Sequence, residues 1–203
     1  MSVSLRTIAL VTAAVAVTSV SASGCHSKPT SAADSSNSAA ATTGGSSPAS
    51  SAKPQSTDYS RLLIKATDID TPMAFTADPV TPNPNGQAGV QTTFSNDDKT
   101  RQIHDTILVF GDPAAAASAL EAAKAKLGDS VRGTPAPAVV GSAGSTVSGN
   151  SPDGAKGVMM LLFTEGRALT TLNFVGPPDM LPPPDFVTEL GQKQDTAIKN
   201  GLS

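Results

Sequence analysis

The 203-residue sequence lacks most of the residues on which chemical sites are built. It contains one cysteine, no tryptophan and one tyrosine. A single cysteine excludes an internal disulfide framework and any zinc or iron–sulfur site made from several cysteines. Charged residues make up only 15% of the chain, the formal net charge is −3 and no long basic run occurs. The composition therefore argues against nucleic acid as a partner.

Aromatic side chains are missing from the first part of the chain. The tyrosine and the six phenylalanines all lie beyond residue 58, at Tyr59, Phe75, Phe94, Phe110, Phe163, Phe174 and Phe186. The earlier residues have little with which to form a core, so we predict a single folded domain over residues 58–203. A domain of that size buries about 68–70% of the surface that its unfolded chain exposes.

Residues 1–24 have the layout of a signal peptide. After Arg6, an apolar stretch runs from residue 8 to residue 20, which is shorter than the ~20 residues that span a bilayer as a helix. The small residues Ala22, Ser23 and Gly24 directly precede Cys25. This pattern resembles the lipobox of bacterial lipoproteins, in which the chain is cut before the cysteine and the thiol carries a diacylglyceryl group. The resemblance implies cleavage between Gly24 and Cys25 and a membrane anchor at Cys25; an ordinary signal peptide with an incidental cysteine is the alternative.

The chain from residue 25 to residue 57 shows no hydrophobic pattern. Residues 26–57 comprise 10 Ser, 4 Thr and 7 Ala, with prolines interspersed. Such a segment buries too little apolar area to offset its ordering entropy, so we predict a disordered tether. A lipobox followed by an Ala/Ser/Thr-rich tether resembles the secreted lipoproteins of actinobacteria, mycobacteria especially.

Beyond the tether, hydrophobic periodicity predicts an α+β domain. Alternation and apolar runs predict five strands, at 89–94, 100–110, 142–149, 158–163 and 168–175. A short helix is predicted near 58–64, an Ala-rich helix over 114–127 after the Asp112-Pro113 cap, and a closing helix over 185–200. Strands joined by short hairpins and covered by helices indicate an antiparallel sheet of about five strands.

Two features of this order resemble a known class of domain. A strand such as 105–110 runs into Asp112-Pro113 and an Ala-rich helix, and a proline-rich connector precedes a closing helix that carries Gln192-Lys193-Gln194. Together they resemble the extracytoplasmic sensor-type domains of actinobacterial lipoproteins and receptor kinases, and less closely the Mog1/PsbP fold.

The predicted domain offers little for catalysis. His104 is its one histidine, no Gly-x-Ser-x-Gly occurs, and the neighbouring Asp105 points to the opposite face of the strand. Asp68 and Asp70 begin no calcium loop, because Met73 occupies the position of the required glycine. We therefore expect no enzymatic activity, no metal and no cofactor.

The apolar residues allow two interpretations. They form only a core, or they also line a pocket for an apolar ligand, and the candidate lining residues are Phe94, Phe110, Met160, Leu162 and Phe174. The proline-rich loops 78–88 and 176–184 would then be the lids of that pocket.

The sequence thus predicts a lipoprotein anchored on the extracytoplasmic face of the cell membrane. Its domain is expected to be a non-enzymatic binding module for an envelope lipid or glycolipid, or for a protein partner. The first alternative is a surface-displayed, antigen-like lipoprotein with protein contacts only. The second is an envelope hydrolase, which the sparse catalytic residues disfavour.

Overall fold

A computed structural model describes residues 58–203 of the chain. The predicted signal peptide, the cleavage site between Gly24 and Cys25, the lipidation of Cys25 and the predicted tether lie outside the described residues. Between residues 58 and 203, no helix has both the length and the apolar character needed to cross a membrane.

In this part of the chain eight strands form one antiparallel sheet, in the order β1-β3-β4-β8-β7-β6-β5, with β2 also paired to β3. The strands are β1 (Phe75–Ala77), β2 (Thr81–Pro82), β3 (Gly89–Asn96), β4 (Gln102–Val109), β5 (Ala136–Pro137), β6 (Ser142–Asn150), β7 (Gly157–Glu165) and β8 (Ala168–Gly176). The helices are α1 (Pro113–Ala125), α2 (Leu127–Ser130) and α3 (Pro184–Leu202). Short 3-10 turns occupy Ser60–Leu62, Ala66–Asp68 and Pro84–Gly86.

The α+β fold with an antiparallel sheet is confirmed, but the predicted count of about five strands is wrong. The five predicted strands correspond to β3, β4, β6, β7 and β8, and the additional ones contain two or three residues each. Pro82 and Pro137 lie in two of these, where the missing N–H is tolerated because each strand has a neighbour on one side only. Strands this short show no alternation from which the sequence could have predicted them.

Two local units meet at the centre of the sheet. One is the β3–β4 hairpin, and the other is the meander β6-β7-β8, in which the two-residue turn at Gly166 (φ 52°) joins β7 to β8. They join along β4 and β8, from the pair Gln102–Val175 to the pair Val109–Ala168.

Each face of the sheet carries its own hydrophobic cluster. α3 and the first 3-10 turn cover one face, where a cluster of buried side chains includes Leu62, Phe94, Ile103, Ile107, Leu161, Phe163, Leu172, Phe174, Val187, Leu190 and Ile198. α1 packs on the β7 and β8 part of the other face, in a cluster of Leu120, Leu127, Val131, Val147, Val158, Leu162 and Leu169. We call these the α3 face and the α1 face.

The start of α1 agrees with its prediction and its end does not. The Asp112 carboxylate accepts a hydrogen bond from the Ala115 N–H at 2.8 Å, and Pro113 occupies the first turn. The helix was predicted to continue to residue 127, yet α1 already ends at Ala125 and Leu127 is the first residue of α2. The break is at Lys126, which leaves the helical conformation with φ −99° and ψ 0°.

Candidate ligand-binding groove

A groove of about 400 Å³ opens at one end of the sheet, where β4 begins and β8 ends. Its walls are the segment 70–75, the proline-rich connector 176–183 and the first turn of α3 at Phe186. Of the two loops predicted as lids, the second therefore does border a cavity. The first, 78–88, does not border this groove, and the segment 70–75 takes its place.

Buried aromatic and aliphatic side chains form the floor of the groove. Ile103 and Phe174 are cross-strand neighbours of β4 and β8 on the α3 face, and both are buried. The Phe186 ring meets the Phe174 ring edge to face, with the centroids 6.0 Å apart and an interplanar angle of 73°. The floor is therefore continuous with the core beneath α3 and is held by it.

The rim of the groove is also apolar, although water reaches it. Five large hydrophobic side chains are exposed among residues 58–203, and three of them line the groove: Met73 (41% exposed), Met180 (53%) and Leu181 (37%). Scattered exposed hydrophobic residues are ordinary, whereas a cluster around a concave surface marks a binding site. This cluster distinguishes the groove from the other cavities of the described residues.

The connector is held in place by its own backbone. The Met180 N–H donates to the Pro177 carbonyl at 3.2 Å, and Asp179 between them adopts φ 59°. At Gly157, a Cβ atom would lie 2.7 Å from the Pro177 oxygen and 3.4 Å from Leu181 Cδ2. A side chain at the start of β7 would push the connector outward, so this glycine allows Leu181 to reach the groove.

Two ionisable residues line the groove, Arg101 and Asp70. Arg101 Nη1 donates to the Met180 carbonyl at 3.3 Å, and Arg101 takes part in none of the ion pairs found between residues 58 and 203. Its backbone is fixed at the β3–β4 turn, where the Arg101 N–H donates to Asn96 Oδ1 at 2.9 Å. The groove thus combines an apolar interior with a cation that lacks a carboxylate partner.

The five residues predicted to line a pocket do not meet in one cavity. Phe94 and Phe174 belong to the α3-face cluster, whereas Leu162, with Phe110 and Met160 packed beside it, belongs to the α1-face cluster. Only Phe174 lines the groove. The physical reason is the pleat: Phe174 and Met160 lie on opposite faces of their paired strands, so one pocket cannot collect both.

His104 and Asp105 lie on opposite faces of β4. His104 Nδ1 is 3.0 Å from Thr93 Oγ1 on the α1-face side, and burial lowers the pKa of the imidazole. Asp105 points into the α3 face between Thr92 and Leu172. The two side chains therefore cannot act as an acid–base pair with each other.

Asp105 points away from His104 as predicted, but its complete burial was not predicted from the sequence. It is fully buried, neither carboxyl oxygen has a hydrogen-bond partner, and burial raises its pKa to about 8. The hydroxyl of Thr92, the cross-strand partner of Asp105 on β3, donates instead to the Asp78 carbonyl at 2.9 Å. The signal was present in the sequence, because Ile103 and Ile107 flank Asp105 at spacing two and are buried with it.

A second acidic group lies where β7 meets α3. Lys199 Nζ contacts Asp195 Oδ2 at 2.6 Å and Glu165 Oε2 at 3.7 Å. Partial burial and the nearby Asp195 raise the pKa of Glu165. The lysine balances these two carboxylates, and no cluster of three or more potential metal ligands occurs in residues 58–203.

Comparisons with known proteins give one weak similarity. No family model matches the chain, and no curated protein matches it. The structure is similar to that of the extracellular domain of PknH from Mycobacterium tuberculosis, with 12% sequence identity and a TM-score of 0.48, over 73% of this chain and 98% of that one. The similarity assigns no ligand or activity to this chain.

Proposed function

We propose that this chain is a lipid-anchored protein of the cell envelope whose domain binds an apolar ligand in the groove without transforming it. The observation that supports the proposal is the meeting of Met73, Met180 and Leu181 above a floor made of the buried Ile103 and Phe174 and the half-buried Phe186. Burying such side chains against a ligand stabilises the complex by about 25 cal/mol for each Å² of apolar surface removed from water.

The arrangement of titratable groups favours binding over catalysis. Asp105, the carboxyl group with the largest change of pKa among the described residues, does not line the groove. His104 lies on the face of the sheet opposite to the floor of the groove. General acid–base catalysis needs a group within reach of the substrate, and neither residue has that position.

The membrane attachment is tested at Cys25. In the full-length chain, Cys25→Ala should move the protein from the detergent phase to the aqueous phase on phase separation, because the thiol that would carry the lipid is gone. Cys25→Ala that still partitions with membranes would overturn the lipid anchor and would point to an uncleaved N-terminal helix.

The binding function is tested with a long-chain alcohol that carries a photoreactive diazirine. Membranes containing the full-length protein are irradiated with this probe, and the labelled peptides are identified by mass spectrometry. We expect labelling of the peptide containing Met180 and Leu181, reduced several-fold in Leu181→Asp because a carboxylate would then face the bound chain.

Val139→Asp is the matched control for this test. Val139 is 88% exposed and lies outside the groove, so the same substitution there should leave the labelling unchanged. Equal labelling of the two variants, or no labelling of the groove in the parent, would overturn ligand binding. If the groove of the parent is not labelled, cross-links from Met73 and Met180 to another protein would favour the alternative of a surface-displayed lipoprotein with protein contacts only.

A further inference from the structure

The groove contains one feature that an apolar ligand alone does not explain. Arg101 borders an otherwise largely apolar cavity, with its guanidinium next to the exposed Met180. The single bond to the Met180 carbonyl occupies one of the five N–H donors of a guanidinium. No carboxylate among the described residues forms an ion pair with it. Donors therefore remain for a group supplied from outside.

The chemistry of that group follows from the charges around the groove. A planar guanidinium matches a carboxylate with two parallel hydrogen bonds, a geometry that a lysine ammonium cannot reproduce. Arg101 is the one cation of the groove, and Asp70 on the same lining adds a negative charge. A ligand group with a single negative charge suits this balance better than one with two.

We propose, on the basis of the binding function above, that the ligand is a long-chain carboxylate of the fatty-acid type. Its carboxylate pairs with the Arg101 guanidinium at the mouth of the groove. Its single apolar chain lies over Phe174 and Phe186 and beneath Leu181. The groove, at about 400 Å³, is within the range of sites that hold one small ligand.

The position of Arg101 is set in advance of binding. Its N–H is bonded to Asn96 Oδ1, and its carbonyl accepts from the Asn96 N–H at 3.2 Å. The residue that follows it, Gln102, starts the ladder with β8. Because the backbone of Arg101 is fixed on both sides, binding a carboxylate requires ordering of its side chain alone.

The experiment compares two photoreactive probes of equal chain length, a fatty acid and the corresponding fatty alcohol. Both carry the diazirine at the same carbon, and both are applied to membranes containing the full-length protein at pH 7.5. We expect the acid to bind in the groove about five- to tenfold more tightly than the alcohol. The reason is that its carboxylate can form charge-assisted hydrogen bonds with a guanidinium at a partly exposed site.

Substitutions at Arg101 locate the origin of that preference. Arg101→Gln should abolish the preference for the acid, because it lowers labelling by the acid far more than labelling by the alcohol, and Arg101→Lys should retain part of the preference. Arg132→Gln is the control, since Arg132 is exposed and lies outside the groove. Persistence of the full preference in Arg101→Gln would overturn the proposal.

The parent protein alone also tests the proposal, independently of whether any variant folds. Equal labelling by acid and alcohol would overturn the carboxylate ligand and leave the binding of an apolar ligand standing. Absence of labelling by either probe would overturn both. Two results together would support both proposals. Leu181→Asp would lose labelling by the acid and by the alcohol, and Arg101→Gln would lose the preference for the acid over the alcohol.

Discussion

The side-chain amide of Gln194, near the end of the chain, donates from Nε2 to the carbonyl oxygen of Leu62, in the first turn of the domain, at 2.6 Å. Its Oε1 accepts from the Ile64 N–H at 3.2 Å, and the whole side chain is buried. A segment with little regular structure thus has two of its backbone groups satisfied by one residue of α3. This pair explains why a glutamine lies in the middle of the apolar stripe of that helix.

Replacement of Gln194 by Leu should destabilise the domain. The Leu62 carbonyl and the Ile64 N–H would remain buried without partners, and each such group costs about 1–3 kcal/mol. Urea unfolding of the full-length protein, followed by circular dichroism, measures the change. Gln192→Leu, at an exposed position two residues earlier, should alter the free energy of unfolding by less than about 0.5 kcal/mol. Equal effects of the two substitutions would contradict the role of Gln194.

Asp105 should make the stability depend on pH in a direction that is unusual for a carboxyl group. Its pKa is about 8 in the folded protein and near 3.8 when unfolded, so between these values the folded state holds more protons. Its contribution is fully present below pH 3.8 and is lost as the pH rises toward 8, at up to about 1.4 kcal/mol per pH unit.

The variant Asp105→Asn tests this dependence, because the amide does not ionise. Relative to the parent, its free energy of unfolding should increase from pH 5 to about pH 8 and should level off above that pH, where Asp105 is ionised in both states. Asp97→Asn, which removes an exposed turn carboxylate, should follow the parent curve closely. If the curves of Asp105→Asn and the parent ran parallel over this range, Asp105 would be ionised in the folded protein.

His104→Ala should leave ligand binding intact. The ring lies on the face of the sheet opposite to Ile103 and Phe174, and its loss removes one contact to Thr93, which contributes about 1 kcal/mol of stability. Labelling by the fatty-acid probe measures binding, and thermal unfolding measures stability. If His104→Ala abolished an activity in protein that remained folded, the hydrolase alternative would be favoured.

Two helical glycines should respond oppositely to alanine. At Gly191 in α3, a Cβ would overlap Leu161 Cδ2 and lie 3.1 Å from Val140 Cγ1, so Gly191→Ala should lift the helix from the sheet and cost about 1–3 kcal/mol. Gly128 in α2 has no atom within 4 Å of the added methyl, and Gly128→Ala should stabilise the domain by up to about 1 kcal/mol. Chemical denaturation of both variants measures the change in the free energy of unfolding. An increase in Gly191→Ala would show that α3 tolerates displacement.

The sequence predicts those elements of the fold that have a regular pattern of apolar and polar residues or a recognisable helix cap. Alternation in β3, β4 and β8, the apolar run of β7 and the Asp112 cap of α1 are visible without any knowledge of neighbours. The groove is not visible in this way, because segment 70–75 and connector 176–183 are more than 100 positions apart and neither has a period. Strand register is also hidden, so the sequence did not reveal that Phe174 and Met160 face opposite sides.

Within the sheet formed by the described residues, a single ladder, between β4 and β8, joins the strands β1 to β4 to the strands β5 to β8. The β3–β4 hairpin and α1 precede the exposed stretch around Gly133 and Thr134, and the β6-β7-β8 meander and α3 follow it. A chain cut there would leave two fragments, each with an internally paired set of strands and one newly unpaired edge, which is β4 in the first fragment and β8 in the second. Their recombination would restore β4 beside β8 and bring α3 back over the first turn, so the domain is suited to a split reporter whose signal requires both halves.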